Sequence, residues 1–301
     1  MIRLIEALNF RCLRYVRQPL APFQILVGPN ASGKTTFLDV VAFLGDLLEN
    51  GLEQAVAART SNFHDLLFSH DGDRFELAVE LEVPEDRRRS VEDGTSYAAV
   101  RYEVAIGLDA DEQEIQILDE QVILSARLSV QQRQPELFPE PLSPIPTIMH
   151  GRTAADERRV IRKVRGGNDN FYSEVSPRKG KGGWTPSFRL GPRRSALGNM
   201  PEDPRDFPVA TWLRELLIDG TQELMLDSLA LRQSSPPGQG LTFRPDGANL
   251  PWIIQALRKT RTGSRTGSAM WRPPCPISRT FARLSCPTPG TAISSSSTGM
   301  A

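Results

Sequence analysis

No stretch of this 301-residue chain approaches the ~18–20 consecutive apolar residues that a membrane span needs. The opening Met1–Val16 lacks the long apolar core of a secretory leader. Both absences point to a cytoplasmic protein with no membrane partner. Cysteine is scarce and odd in number. Cys12, Cys275 and Cys286 have neither metal-ligand spacing nor the even count of a disulfide framework, which fits a reducing compartment. The histidines, His64, His70 and His150, form no ligand grouping. An excess of one charge is missing too, because 36 Lys and Arg balance 36 Asp and Glu, so net charge predicts neither a nucleic-acid nor a membrane partner. What is present is an ordinary globular composition, 39% apolar and 24% charged, long enough for one large domain or two.

The most informative residues are Gly28, Pro29, Asn30, Ala31, Ser32, Gly33, Lys34, Thr35 and Thr36. Gly28 to Thr35 fit GxxxxGK[ST], a phosphate-binding loop. Glycines let the backbone turn its N–H groups inward at phosphate oxygens. Lys34 can reach the β- and γ-phosphates, and the Thr35 hydroxyl can ligate Mg²⁺. The motif requires a strand before it and a helix after it. Phe23–Val27 is a short apolar run of strand-forming residues ending at Gly28. Beyond Lys34, Phe37, Val40, Val41, Leu44, Leu47 and Leu48 recur with the period of a helix that buries one face. The helix N-terminus then adds its partial positive charge to the same anion site.

A first strand over Ile2–Ile5, then Asn9, Phe10 and Arg11, a short polar stretch, and a P-loop whose asparagine is Asn30 resemble the RecF/SMC-like ATPases. These belong to the wider ABC-type class and are often labelled AAA family ATP-binding proteins. The resemblance is clear over about residues 1–50 and continues weakly to about 130. It implies an α/β fold, a P-loop NTPase head with an adjoining antiparallel sheet, incomplete in this chain. It implies ATP and Mg²⁺ as cofactors, with Lys34, Thr35 and Thr36 on the β/γ-phosphates, Mg²⁺ and the α-phosphate. Arg11 is placed near the nucleotide only as a guess. In the intact family the partner is a second head in a homodimer, with DNA as a further candidate. The glutamine that such heads carry after the first helix to sense Mg²⁺ has no convincing equivalent here.

Downstream, Arg74–Val83 alternates apolar and polar residues as a half-exposed strand does, and Tyr97–Leu108 and Glu114–Leu128 repeat the pattern. Asp119 and Glu120 end an apolar run and resemble a Walker B pair. Gln116 interrupts that run, and it lies before the region where the family places its signature, so it reads as an ordinary strand edge. The expected divisions are a P-loop lobe with its sheet over 1–130, a Pro-rich and basic insertion over 131–208, a helical segment over 209–259 and an aberrant tail over 260–301. Arg152–Arg194 holds 12 Lys and Arg against 4 Asp and Glu, with Phe171, Tyr172 and Trp184 interleaved. Such a mix can grip nucleic acid, but a solvated insertion with locally packed aromatics is the favoured reading. Trp212–Leu217 and Gln222–Leu231 look helical. A turn at Pro245–Gly247 leads into an amphipathic helix ending near Leu257.

The last 55 residues, Gly247–Ala301, contain no Asp or Glu, against 36 in the preceding 246. A disordered basic tail, a low-complexity linker and a frameshifted translation are the three accounts. Back-translation with GC-rich codons favours the third, because the neighbouring frame can restore acids and a helix-then-strand pattern. The water-activating half of a head would then be missing, so no catalytic residue is assigned. Four readings stand: the ATP-binding portion of an ABC/RecF-like ATPase, a nucleotide-dependent module that never hydrolyses, an inert truncated product, and a nucleic-acid-binding protein led by residues 152–194.

Overall fold

A computed structural model describes residues 1–91, 97–109, 114–129, 145–175, 187–201, 203–221, 228–236, 238, 240 and 244–263. The predicted stretches over 131–144, 222–227 and 264–301 lie outside the described residues. The frame is one antiparallel sheet in the order β2-β1-β3-β4-β5-β6-β7-β8. Its strands are β1 (Ile2–Phe10), β2 (Leu13–Pro19), β3 (Arg74–Glu82), β4 (Ala99–Leu108), β5 (Ile115–Ser125), β6 (Glu157–Val164), β7 (Asp169–Phe171) and β8 (Ser187–Phe188). The helices are α1 (Lys34–Glu49), α2 (Leu52–Ala57), α3 (Glu85–Arg88), α4 (Pro208–Ile218), α5 (Ser228–Arg232) and α6 (Leu250–Gly263). This is a mixed α/β fold built on an antiparallel sheet. Among the described residues no helix is long and apolar enough to cross a membrane.

Register explains which face is which. Ile5, Val79, Tyr102, Val122 and Ile161 lie across from one another on successive strands. They share one face, because paired residues in a sheet point the same way. The helix α1 packs on that face through Phe43, whose ring meets Phe10 at 5.8 Å and Phe75 at 5.5 Å. Helix α4 packs behind α1 so closely that a Cβ on Gly45 would stand 2.6 Å from the Leu217 carbonyl oxygen. The buried Glu174 carboxylate holds the start of α4, accepting from the Val209 and Ala210 N–H groups at 2.7 and 2.8 Å.

The opposite face is polar yet buried. Glu6, Glu103, Gln121 and Arg162 occupy it in register. The alternation in β3 predicts a half-exposed strand, but Glu76 and Glu80 are buried. Thr147 Oγ1 and the Ile148 N–H donate to Glu76, and the Ser129 N–H donates to Glu80. A strap of chain therefore covers the charged face and supplies the partners that burial demands. Glu103 is paired with Arg101 and His150. Burial pushes its carboxyl up, but those two neighbours outweigh burial and hold it down at about 2. Strands β6 to β8 carry the basic stretch onto the same sheet, and Phe171 stacks on Phe188 at 5.0 Å.

Candidate nucleotide site

Gly28 to Thr36 lie together where the sequence places them, as an exposed loop opening α1. Gly33 caps the helix in the left-handed region, φ 86°, and Ala31 adopts φ 63° without being glycine. A Cβ on Gly28 would come within 2.8 Å of Ser32 Oγ, so a side chain there would have to displace the Ser32 hydroxyl. Lys34 Nζ folds back over the loop, donating to the Gly28 and Pro29 carbonyls at 2.8 and 2.6 Å and to Ser32 Oγ at 3.3 Å. The first turn of α1 carries no acid, so nothing offsets the positive end of the helix. A tight loop, a lysine folded over it and a helix terminus without a first-turn acid fit a polyphosphate.

The β1–β2 turn forms the neighbouring wall. Cys12 Sγ donates to Thr36 Oγ1 at 3.2 Å, and a Cβ on Gly33 would meet that sulfur at 3.2 Å. Arg11 reaches Asp39 on α1 at 3.0 Å, and Arg59 clamps Asp39 and Asp46 at 2.7 and 2.8 Å. Burial lowers the Arg59 guanidinium, but the hydrogen bonds and charge of the two aspartates raise it above its ordinary value. Arg59 also stacks over the Phe43 ring at 4.9 Å. Neither Cys12 nor Arg59 is legible as a site neighbour in the sequence. Arg59 follows α2 with no motif around it, and only folding brings it to α1.

One required context differs from expectation. Phe23–Val27, which reads as the strand before the loop, belongs to no strand of the sheet. Its neighbours in a sheet have to come from elsewhere, because β1 pairs with β2 and β3 on its two edges. Asp119 and Glu120 are not brought to the loop as a pair. They are successive residues of β5 and point to opposite faces. Asp119 meets Arg162 at 2.5 Å. Glu120 is buried, accepting from Tyr102 Oη, Ser195 Oγ and the Ala196 and Leu197 N–H groups. Among the described residues there is no group of three metal-ligating side chains.

Gly28–Thr35 carry the phosphate-loop pattern at the start of α1. The family model described as "AAA domain, putative AbiEii toxin, Type IV TA system" matches residues 23–141. A similar curated protein is an OLD nuclease of Thermus scotoductus, 44% identical over 48 residues, which is 16% of this chain and 9% of that protein. The match thus spans under a tenth of the relative's length. A solved structure from work on ATP-driven dimerization and DNA-stimulated activation of SMC ATPases overlaps 38% of this chain and 67% of that one. That pair has 20% identity and a TM-score of 0.29. Over residues 23–141 this chain is similar to that AAA-domain family.

Proposed function

We propose that this chain binds Mg·ATP at Gly28, Pro29, Asn30, Ala31, Ser32, Gly33, Lys34, Thr35 and Thr36. The observation that carries the reading is Lys34, whose amine lies over the loop mouth on carbonyls of Gly28 and Pro29. Phosphate oxygens are stronger acceptors for that ammonium than peptide carbonyls. Loop amides and the α1 terminus hold the phosphate chain, Lys34 neutralises it, and Thr35 Oγ1 is the protein's ligand for Mg²⁺, which supplies charge neutralisation when bound. Thr36, beside Cys12, takes the α-phosphate side.

Hydrolysis comes to this chain only through its resemblance to intact relatives. In-line attack needs an oriented water and a second acid, and Asp119 and Glu120 are committed elsewhere. The resemblance over 48 residues to a protein named a nuclease supports DNA as a partner of a full-length relative, and the resemblance to ABC-type heads implies a second head. The basic stretch adds little to that, because Arg162, Lys163, Arg165 and Arg193 are all ion-paired within the chain. Lys34→Ala should abolish ATP binding, measured by calorimetry with Mg·ATP. Unchanged affinity would refute the site.

A further inference from the structure

A cavity of about 390 Å³ opens beside β5, between the β6–β7 turn and the Gly191–Pro192 segment. Volumes of this order hold small ligands. Two backbone bonds frame it: the Ile117 N–H donates to the Pro192 carbonyl at 2.8 Å, and the Arg165 N–H donates to the Leu118 carbonyl at 2.9 Å. Gly166 and Gly191 turn the chain in the left-handed region, φ 70° and 90°, and a Cβ on either would meet nothing within 4 Å. Gln116 lines this cavity and is only 6% exposed, yet its side-chain amide makes no hydrogen bond among the described residues. Gln121 of the same strand is buried too, but it donates to Glu103 and to the His150 carbonyl at 2.6 and 2.9 Å. A buried amide without partners is costly, and native folds avoid it. The cations here are Lys163, Arg165 and Arg189. Asp169 takes Lys163 at 2.8 Å and Asp109 takes Arg165 at 2.7 Å. Arg189 is left without an ion pair among the described residues, and its guanidinium donates to the Gly166 carbonyl.

We propose that this cavity is a second ligand site, built for a nucleoside monophosphate, in which Gln116 reads the base edge and Arg189 holds the phosphate. A carboxamide donates and accepts side by side, and glutamine pairs in this way with adenine through N6 and N7. Phosphate oxygens are stronger acceptors than the Gly166 carbonyl and take a guanidinium bidentately. Ile117, Val164 and Pro192 give a ring apolar surface to lie against. A simple anion would leave Gln116 unpaired, and an uncharged base would leave Arg189 on its carbonyl. A ligand that carries both groups answers both. One unpaired cation suits a short phosphate, whereas the polyphosphate chain needs the amides and lysine of the loop at Gly28–Thr36. The cavity shares no residue with that loop, so it stands or falls independently of nucleotide binding there.

The test is calorimetric titration of the full chain with AMP. It is run on the native chain and on Lys34→Ala, in which the phosphate loop is disabled, so that binding at the cavity is read apart from binding at the loop. AMP should bind in both. Gln116→Leu and Arg189→Ala should each weaken AMP roughly tenfold or more. Adenosine and inorganic phosphate, which each carry one of the two groups, should bind at least about tenfold more weakly than AMP. Gln116→Leu also supplies a readout that needs no ligand. Its urea midpoint should rise, because leucine removes an unpaired buried amide. No AMP binding, binding that Lys34→Ala abolishes, binding that Gln116→Leu or Arg189→Ala leaves unchanged, AMP no tighter than phosphate or adenosine, or a lower urea midpoint in Gln116→Leu would overturn the proposal. The last would mean that the chain itself already satisfies the amide.

Discussion

Lys34 closes the loop it belongs to. Its amine satisfies carbonyls that otherwise face solvent, and the same reach suits phosphate. Ala31 is the loop's strained member. A left-handed backbone costs a non-glycine residue about 1–2 kcal/mol, and part of that is recovered by the lower entropy of an alanine in the unfolded chain. Ala31→Gly should therefore stabilise the protein by about 0.5–1 kcal/mol, read as a higher urea midpoint. Glu174 makes a second residue-level prediction. Burial raises its carboxyl from 4.5 to about 7, against two backbone donors that favour the charge. A raised folded-state value means the folded protein holds the proton more tightly. The stabilisation is complete below pH 4.5 and is lost as pH rises toward 7, at roughly 1.4 kcal/mol per unit and about 3 kcal/mol in all. Asp119, raised by burial to about 6, acts in the same direction. The check is the difference between the native chain and Glu174→Gln in urea unfolding across that window. An identical pH slope in both would exclude Glu174 as the cause.

At the scale of elements, α1 matters most, since it carries the loop on one end and the core on its face. Its position is set on three sides: the Phe10, Phe43 and Phe75 cluster beneath, Arg59 through Asp39 and Asp46, and α4 behind. The third contact exists because Gly45 has no side chain. Gly45→Ala gains about 1 kcal/mol in helix propensity but sets a methyl 2.6 Å from a backbone oxygen that cannot rotate away. Overpacking of this kind costs about 1–3 kcal/mol, so the substitution should lower the melting temperature by a few degrees. An increase would mean that the α1–α4 contact is looser in solution.

At the scale of the whole molecule, the sheet divides the protein into an apolar layer that carries α1 and α4 and a charged layer closed by the strap over Thr147–His150. Most of the charged layer is partnered: Glu76 Oε2 by Thr147 and Ile148, Glu80 by Ser129, Glu103 by Arg101 and His150, while the buried Glu76 Oε1 accepts no hydrogen bond. A ligand that binds only the folded state stabilises it by about 2.7 kcal/mol at a hundredfold excess over its dissociation constant. Mg·ATP should therefore raise a cooperative melting transition of the full chain, and Lys34→Ala should remove the rise. A broad, unshifted transition would favour an inert product over a nucleotide-binding one.

Much of this was legible in the letters. The spacing of Gly28, Gly33, Lys34 and Thr35 specifies a phosphate loop, because only those types make that turn and that charge. The apolar period after Lys34 specifies α1, and alternation specifies β3, β4 and β5. Local pattern reports which face of an element is greasy, and helix and strand periods are local properties. What pattern cannot report is what lies against a face. Glu76 and Glu80 read as solvent-facing and are buried, because the chain that covers them follows some fifty residues later or more. Asp119 and Glu120 resemble an acid pair but read as an ordinary strand edge, and the two-residue period of β5 turns them to opposite sides. Phe23–Val27 reads as a buried strand, yet a strand is defined by its partners and not by its own residues. Whether that edge is paired, and by what, is decided in three dimensions, where β1 has already spent both of its edges on β2 and β3.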